Sequence, residues 1–171
     1  MTFDKEYVSL EAMKKLLHAT CVELHKKGVL LLGKSGSGKS ELALHLLTMG
    51  AQLVADDCVL LDTQSRRATC PPNLRNKIEM RGVGIVPVKS KASTRVCLCV
   101  NLCPRSQVER FPLKTFFTME IPTVNLCGHD LVATADKIDF ICRQEDVEAF
   151  LKVARSTQSV RRKKNCSLSE L

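Results

Sequence analysis

The feature that most constrains this chain is a glycine-rich segment that matches the pattern G-x4-G-K-[ST] in full. Its members are Gly33, Lys34, Ser35, Gly36, Ser37, Gly38, Lys39 and Ser40. Glycine lets the backbone curl so that successive N–H groups point inward and hold phosphate oxygens. Lys39 is expected to neutralise the outer phosphates, and the Ser40 hydroxyl can ligate Mg²⁺. The segment therefore predicts a nucleotide phosphate-binding loop between a buried strand and a helix.

The residues on either side of this loop provide the required context. Gly28–Gly33 is a short apolar run typical of a buried strand, and apolar residues recur at helical spacing over Lys39–Met49. Such a helix carries the chain about 16 Å away from the loop, and the extended run Ala51–Ala55 returns it by about 16 Å. Asp56 and Asp57 are therefore expected beside the loop, where an ionised carboxylate can accept a hydroxyl proton or bind a metal ion. The alternative for this pair is a turn or helix-capping role.

The rest of the pattern predicts a single α/β domain over residues 1–154. Gly and Pro punctuate several short apolar runs, and the spacing of apolar residues becomes helical from about Asp130. Further strands are predicted at Leu16–Leu24, Lys77–Met80, Gly84–Val88, Arg95–Leu102 and Phe117–Ile121. We therefore expect a mixed sheet around the helix of the phosphate loop, followed by C-terminal helices.

Composition limits the partners of the chain. Its 171 residues are 44% apolar, enough to bury one sizeable core. The formal charge is +8, but without the five basic residues between Arg155 and Lys164 it falls to +3. The excess therefore belongs to a basic C-terminal tail, residues 155–171, which we expect to be poorly ordered. With no Trp and one Tyr, few rings are available for base stacking, so no nucleic-acid partner is expected.

Composition also indicates a compartment. No run approaches the roughly 20 apolar residues of a membrane span, and residues 1–11 contain three acids and no apolar signal region. The nine cysteines, an odd number, indicate free thiols in a reducing environment. We expect a cytoplasmic protein with no membrane partner.

Other charged residues are candidates with two interpretations each. Glu79 and Arg81 lie on one face of a predicted strand that leads into a glycine-rich turn, so they belong either to a site or to a plain edge strand. His18 lies in a predicted strand, where a lone histidine is more often structural. Arg110 is a possible phosphate partner, and no other property of the sequence distinguishes it.

Several segments together resemble the catalytic domain of HPr kinase/phosphorylase, a bacterial enzyme that phosphorylates a serine of HPr, the phosphocarrier of the sugar phosphotransferase system. They are His18, GVLLLGKSGSGKSELAL, LVADD, IEMRGVGIVPV and QVERFP, spanning Leu16 to Pro112. The chain is similar to the short family members of alphaproteobacteria, which have no separate N-terminal domain. The resemblance implies that domain's fold, ATP and Mg²⁺ as cofactors, HPr as the protein substrate and a homo-oligomer, a hexamer in the family.

The resemblance also implies roles for individual residues. Lys39 holds phosphate, and Asp56 accepts the serine proton in the kinase direction and donates a proton in the reverse direction. His18 lies close to the aspartates, and Arg110 matches an active-site arginine of the family. The metal site is formed by three oxygen-bearing side chains, Ser40, Asp57 and Glu79.

One departure from the family bears on the reaction. The family's late P-V-x-P-G-R-N segment, which is tied to dephosphorylation, falls near Ile121–Asp130, where this chain has no arginine. We therefore predict an ATP- and Mg²⁺-dependent protein serine kinase with reduced or absent phosphorylase activity. Two alternatives stay open: a nucleotide-binding regulatory module without phosphotransfer, and a kinase of a small hydroxylated metabolite that uses the same loop.

Overall fold

A mixed β-sheet forms the centre of the computed structural model, which describes residues 14–110, 115–117 and 121–166. The strands are β1 (Lys14–Leu17), β2 (Thr20–Leu24), β3 (Lys27–Leu32), β4 (Gln52–Ala55), β5 (Val59–Asp62), β6 (Arg67–Thr69), β7 (Lys77–Met80), β8 (Gly84–Pro87), β9 (Ser93–Cys103), β10 (Thr115–Phe117) and β11 (Ile121–Cys127). The helices are α1 (Lys39–Thr48), α2 (Leu131–Arg143) and α3 (Val147–Cys166). Strands β7 and β8 form a separate hairpin, and the other strands belong to the main sheet.

The strand order brings the carboxyl ends of four parallel strands to one edge of the sheet. β9 lies between β3 and β11 and runs parallel to both. β2 pairs antiparallel with β3 and with β4, so β4 also runs in the direction of β3. Carboxyl ends of parallel strands share one edge, which is where open α/β sheets bind their ligands. The segments that follow β3, β4, β9 and β11 therefore meet at this edge.

Two apolar cores lie on opposite faces of the sheet, because side chains alternate between the faces along each strand. In β3, Val29 and Leu31 pack into the core covered by the helices, whereas Leu30 packs into the other core. Leu42 of α1 and Ile138 of α2 complete the first core. Residues of β5 and β6 close the second. Strand β3, which carries the phosphate loop at its end, is thus buried on both faces.

Helix α1 begins and ends at glycine-dependent positions. Gly38 is its N-cap residue, and the first helical bond runs from the Leu42 N–H to the Gly38 carbonyl oxygen at 2.9 Å. Gly50, with a φ of 95°, follows the C-terminal end. A left-handed residue at that position commonly terminates a helix, and glycine adopts it without steric cost. The predicted helix over Lys39–Met49 is confirmed to within one residue.

Helix α2 is attached to the turn between β2 and β3 through Asp139. Its Oδ2 accepts a hydrogen bond from Arg143 Nε and its Oδ1 contacts His25 Nε2, both at 2.7 Å. These hydrogen bonds, that of Arg143 above all, lower the pKa of Asp139. His25 and Lys26 both have positive φ values, 50° and 62°, as a two-residue type I′ hairpin turn requires.

The predicted fold class, an α/β domain with a mixed sheet and C-terminal helices, is confirmed. The strand predicted over Leu16–Leu24 is wrong in its continuity: β1 pairs with β5, whereas β2 pairs with β3 and β4. The chain changes partner between them, at His18. Strand β6 has no counterpart among the predictions. The strand predicted over Phe117–Ile121 overlaps only the end of β10 and the start of β11, and residues 118–120 lie outside the described part.

Residues 155–166 continue the last helix. α3 runs to Cys166, so the backbone of residues 155–166 is helical. The boundary at residue 155 stays a prediction. Arg155 Nη2 donates to the Thr123 carbonyl oxygen at 3.0 Å, which links the helix to β11. No helix among the described residues is long and apolar enough to span a bilayer.

The cysteines whose side chains are described are free thiols, as predicted. Cys21 and Cys99 lie in the second core and Cys142 in the first. Burial raises the pKa of Cys99 and of Cys142 to about 12, so these groups stay protonated. They behave as small apolar side chains.

Candidate functional site

The loop between β3 and α1 has the conformation that its glycines permit. Gly33, Gly36 and Gly38 have φ values of 145°, 76° and 93°, in the region that other residues disfavour. The Ser37 N–H donates to the Lys34 carbonyl oxygen at 3.1 Å and closes a turn. A Cβ placed on Gly36 would meet no atom within 4 Å. The loop therefore presents open backbone outward, as a phosphate cradle requires.

Gly128, which follows β11, supports this loop from behind. Its N–H donates to the Cys103 carbonyl oxygen at 3.3 Å. A Cβ on Gly128 would overlap the Ser37 carbonyl oxygen, and a Cβ on Gly38 would lie 2.8 Å from the Gly128 carbonyl oxygen. Both glycines are thus required for close approach of the two backbones. The position of the phosphate loop is set by the chain that leaves β11.

The Lys39 side chain folds back along the loop and is only 5% exposed. Its Nζ donates to the carbonyl oxygens of Gly33 and Lys34, each at 3.1 Å. No carboxylate among the described residues lies within ion-pair distance of it. The ammonium charge is therefore held at the loop without a counter-charge, the electrostatic condition under which an anion binds there.

His18 lies between Lys39 and Asp57. Its Nδ1 is 3.1 Å from the Asp57 carbonyl oxygen, and its Nε2 is 3.4 Å from Lys39 Nζ. A carbonyl oxygen only accepts and an ammonium only donates. Both contacts are satisfied together only by the neutral imidazole that carries its proton on Nδ1. His18 thus joins the glycine-rich loop to the turn after β4.

Asp56, at the end of β4, has a carboxylate fixed by three hydrogen bonds and is 8% exposed. Oδ1 accepts from Thr20 Oγ1 at 2.9 Å and from Ser40 Oγ at 3.0 Å, and Oδ2 accepts from the Glu79 N–H at 3.1 Å. A carboxylate has about four lone-pair sites. The fourth, on Oδ2, has no partner among the described residues. Asp56 is thus oriented by neutral donors and keeps one position for a hydroxyl or a metal ion.

Asp57 lies at the centre of a tight turn and is exposed. Its φ is 59°, and the Cys58 N–H donates to the Asp56 carbonyl oxygen at 2.7 Å across it. Asp tolerates the left-handed region better than most residues do. The turn directs Asp57 into a cavity of about 110 Å³ beside the loop. We call this the phosphate cavity; its lining is His18, Ser35, Gly36, Gly38, Lys39, Ser40, Glu41, Asp57, Glu79 and Arg81.

The phosphate cavity brings together the three side chains expected to bind a metal ion. Ser40, Asp57 and Glu79 all line it. No group of three or more His, Cys, Asp or Glu converges as a metal cluster among the described residues. Mg²⁺ needs no such cluster, since it usually takes one or two carboxylates and completes its shell with water and substrate phosphates. Two carboxylates and a hydroxyl beside the loop therefore suit Mg²⁺.

A second, more apolar cavity of about 320 Å³ is lined by Asp56 and lies against the β7–β8 hairpin. We call it the hairpin cavity; it is lined by Asp56, Asp57, Leu74, Lys77, Ile78, Glu79, Gly84 and Ile85. Ile85 is 73% exposed and Leu74 is 43% exposed. Large apolar side chains thus stand open to solvent next to the Asp56 carboxylate.

The structure brings most of the sequence-predicted site residues together and leaves Arg110 apart from them. Five of the eight loop residues, His18, Asp57 and Glu79 line one cavity, and Asp56 is hydrogen-bonded to Ser40 at its edge. Arg110 follows a short 3-10 helix after β9 and lines neither cavity described above. Sequence reasoning missed Thr20, because one threonine in a strand carries no signal of its partner. It also missed Gly128, whose close approach to the loop depends on the strand order.

Together, the parallel strand edge, the glycine-rich loop and the fixed aspartate define an α/β protein with a strand–loop–helix arrangement that suits a phosphorylated ligand. Comparison with known proteins specifies the family. Residues 10–114 match the family model described as HPr Serine kinase C-terminal domain. That match covers more than half of the chain, and the chain belongs to this family.

Named relatives and one solved structure agree with this assignment. HPr kinase/phosphorylase of Cupriavidus necator is 35% identical over 116 aligned positions, and that of Burkholderia lata is 36% identical over 116. Each alignment covers 61% of this chain and 36% of the relative, so the chain matches about a third of those proteins' length. The Hpr(Ser) kinase/phosphatase structure from Coxiella burnetii has a TM-score of 0.64 and 25% identity, and the match covers 72% of this chain and 93% of that one.

Proposed function

We propose that this chain is an ATP- and Mg²⁺-dependent protein serine kinase that phosphorylates HPr. One observation carries the proposal. The Asp56 carboxylate accepts a hydrogen bond from Ser40 of the phosphate loop, and one lone pair of its Oδ2 has no partner among the described residues. A group so placed lies between the nucleotide phosphates and a second, apolar cavity. It is suited to take the proton of a hydroxyl that attacks the terminal phosphate.

The reaction follows the usual course of phosphoryl transfer, in which positioning and charge neutralisation supply most of the catalysis. The substrate serine oxygen forms a bond to the γ-phosphorus while the bond from that phosphorus to the β-bridging oxygen breaks. The serine proton passes to Oδ2 of Asp56, and ADP leaves. Lys39 offsets the charge on the phosphates. Mg²⁺, held by Ser40, Asp57 and Glu79, would neutralise the charge that develops on the phosphate oxygens.

The exposed apolar side chains at the hairpin cavity favour a protein substrate over a small metabolite. Ile85, Leu74 and the neighbouring Val83 are 73%, 43% and 71% exposed. Exposed apolar groups grouped beside a polar centre are typical of protein contact surfaces. A small polar metabolite would leave these side chains uncovered. We therefore propose that the hairpin β7–β8 contacts HPr around its target serine.

We further propose that phosphorylase activity is weak or absent. The segment Ile121–Asp130, which corresponds to the family segment tied to dephosphorylation, ends in Cys127, Gly128, His129 and Asp130, without an arginine. Gly128 lies directly against the phosphate loop. A missing arginine at this place removes a fixed positive charge from the region that would bind inorganic phosphate. Release of phosphate from seryl-phosphorylated HPr at a rate near the forward rate would contradict this proposal.

The test is intact-protein mass spectrometry of HPr after incubation with the chain, ATP and Mg²⁺. One added phosphoryl group that maps to a serine is the expected product, and Lys39→Ala should abolish it. Retained ATP binding with no phosphorylated HPr would favour the regulatory module instead. Phosphorylation of a small metabolite but not of HPr would favour the small-molecule kinase.

The role of Asp56 has its own test. In Asp56→Asn the amide oxygen can still accept from the Glu79 N–H and the amide nitrogen can donate to the two hydroxyls, so the network survives but the basic carboxylate that would take the proton is lost. Turnover should fall by about 100-fold or more, with ATP affinity within about threefold. Asp136→Asn, on the exposed face of α2, is the matched control. Equal loss of turnover and ATP affinity would assign Asp56 to metal binding or structure.

The role of Asp57 can be distinguished from that of Asp56 by how activity depends on the Mg²⁺ concentration. As a proposed Mg²⁺ ligand, Asp57→Asn should raise the Mg²⁺ concentration required for half-maximal activity. Excess Mg²⁺ should then restore much of the turnover. A loss of turnover that Mg²⁺ does not restore would mean that Asp57, rather than Asp56, takes the proton.

Two further expectations remain proposals. The family suggests a homo-oligomer, a hexamer, which light scattering on the purified chain would test. A cytoplasmic location is expected from the free thiols and is checked by fractionation of cells that express the protein.

A further inference from the structure

Two cysteines lie side by side at the carboxyl ends of β9 and β11. Cys103 is the last residue of β9, Cys127 is the last residue of β11, and the two are register partners in the parallel pairing of these strands. Both are partly exposed free thiols. No other two cysteines are register partners in the strands that the structure describes around β9. The proposed phosphoryl transfer uses neither of them.

The pairs that precede these cysteines on the same face contact each other through their side chains. Cys99, Asn101 and Cys103 share one face of β9, because side chains alternate along a strand. Asn101 Nδ2 donates to Oδ1 of its register partner Asn125 at 3.0 Å. Cys99 is hydrogen-bonded to its own register partner, Thr123. The next pair along this face is the two cysteines, so their side chains also face each other.

The spacing of the two cysteines suits a disulfide. The Cys103 thiol donates to the Leu126 carbonyl oxygen at 3.7 Å, so its sulfur atom is directed toward β11. Neighbouring strands lie about 4.8 Å apart, and disulfides join Cα atoms that are about 4.4–6.8 Å apart. Burial raises the pKa of Cys103, and the nearby Cys127 raises it further. The two thiols are therefore close enough for a bond between their sulfur atoms.

A small reagent can reach this pair from a cavity of about 280 Å³ at the same edge of the sheet. Cys103 lines this cavity together with residues of the glycine-rich loop and of the turn after β11. Lys34 of the loop also lines it and supplies a positive charge. A small disulfide that carries carboxylates, such as oxidised glutathione, is attracted by that charge.

We propose that Cys103 and Cys127 form a redox modification site, a dithiol that a small anionic disulfide oxidises to a cross-strand disulfide. One cysteine thiolate attacks the small disulfide, whose S–S bond breaks, and a mixed disulfide forms as one small thiol leaves. The other cysteine then attacks the protein sulfur of the mixed disulfide, and the second small thiol leaves. Two electrons pass from the protein to the small disulfide, and the two cysteine protons end on the leaving thiols.

Oxidation acts on the phosphate loop through Gly128. This residue follows Cys127 directly, and its N–H donates to the Cys103 carbonyl oxygen at 3.3 Å. A Cβ on Gly128 would overlap the Ser37 carbonyl oxygen, so no space separates this turn from the loop. Joining the sulfur atoms at about 2.0 Å shifts the two strand ends and, with them, Gly128 and the loop. The oxidised chain should therefore bind phosphates less tightly.

This effect makes the dithiol a regulatory site, and in that respect the inference rests on the proposed function, since it assumes that the loop binds the nucleotide. In a reducing compartment a disulfide of this kind forms transiently and reports on the redox state. The chemical step itself does not depend on the proposed function. The two parts are therefore tested by separate measurements.

The first measurement is peptide mapping of the native full chain after incubation with oxidised and reduced glutathione at several ratios and blocking of the remaining thiols. A peptide pair joined through Cys103 and Cys127 is the expected product, and excess reduced glutathione should remove it. Cys97→Ser is the matched control, because Cys97 lies on the same strand about 20 Å from Cys103. This variant should form the same disulfide, whereas Cys127→Ser should form none.

The second measurement is calorimetric titration with ATP and with inorganic tripolyphosphate, which has the phosphates and no nucleoside, both with Mg²⁺. Oxidation should weaken the binding of both by about tenfold or more, since a displacement of about an ångström costs up to about 100-fold where function depends on position. Reduction should restore both affinities. The same oxidation should leave the affinities of Cys103→Ser and Cys127→Ser within about twofold of their reduced values.

The possible failures are distinguishable. If the native chain forms no bond between Cys103 and Cys127, or forms it only in denaturant, the modification site is wrong and the proposed function stands. A disulfide that leaves both affinities unchanged would overturn the coupling through Gly128. If the reduced chain binds neither ligand, the proposed function fails, and peptide mapping still decides whether the dithiol is oxidised.

Discussion

Replacement of Gly128 by alanine tests how the phosphate loop is positioned. The added Cβ would overlap the Ser37 carbonyl oxygen and lie 3.2 Å from the carbonyl carbon of that residue and 3.4 Å from Leu102 Cβ. These neighbours are backbone and buried core, so they cannot rotate away. Overpacking of this kind costs about 1–3 kcal/mol of stability. The added Cβ must also move Ser37 by about an ångström. A displacement of this size lowers the catalytic rate by about 100-fold where catalysis depends on exact positions.

Two measurements separate these effects. Thermal unfolding should show a melting temperature lower by several degrees, since about 1 kcal/mol corresponds to 2–4 °C in a domain of this size. Calorimetric titration with ATP and with tripolyphosphate should show that both lose affinity together, because the loop itself has moved. Gly50→Ala is the control: its φ is 95°, and an added Cβ meets nothing within 4 Å, so it carries backbone strain without a clash. A Gly128→Ala protein that binds both ligands normally would refute the reasoning.

Three further predictions follow from the described contacts. Thr20→Val keeps the shape of the side chain but removes a donor to the buried Asp56 oxygen, so it should lower the free energy of unfolding by about 1–3 kcal/mol in denaturant titration; an unchanged value would contradict the network. Because the pKa of Asp139 is lowered in the folded chain, its contribution to stability is present above the unfolded pKa of about 3.9 and is lost as the pH falls through the folded value. In Asp139→Asn the free energy of unfolding should therefore fall less steeply as the pH is lowered. An unchanged pH dependence would count against the contacts of Asp139 with Arg143 and His25. Iodoacetamide should modify partly exposed Cys97 in the native protein and leave buried Cys99 unmodified until denaturant is added. Peptide mapping gives the order of modification, and equal rates would show that the core opens.

Part of the candidate site was predictable because it is encoded locally. The pattern from Gly33 to Ser40 requires a strand before it and a helix after it, and the lengths of α1 and β4 return the chain to the loop. The bond between Ser40 Oγ and Asp56 Oδ1 at 3.0 Å agrees with the expected proximity. Each of these steps involves residues that are adjacent in sequence or joined by one regular helix.

Other parts were not predictable, since they depend on which strands become neighbours. The sequence predicts one strand over Leu16–Leu24, because apolar character continues across His18, whereas the pairing partner changes there. Thr20 reaches Asp56 across 36 residues, and the Glu79 N–H reaches it across 23. Nothing in a single strand specifies such partners, because any strand of suitable pattern could lie alongside.

The sequence alone determined that this protein has a glycine-rich loop between a strand and a helix, an aspartate beside it and an α/β fold around them. It did so because backbone geometry and side-chain periodicity act over a few residues. Only the tertiary structure decided that, among the described residues, Asp56 keeps a single open lone-pair site, that Gly128 lies against the loop, and that a cavity of about 280 Å³ adjoins it. These properties arise from the order and register of β3, β9 and β11, which are set by the packing of the whole sheet rather than by any local segment.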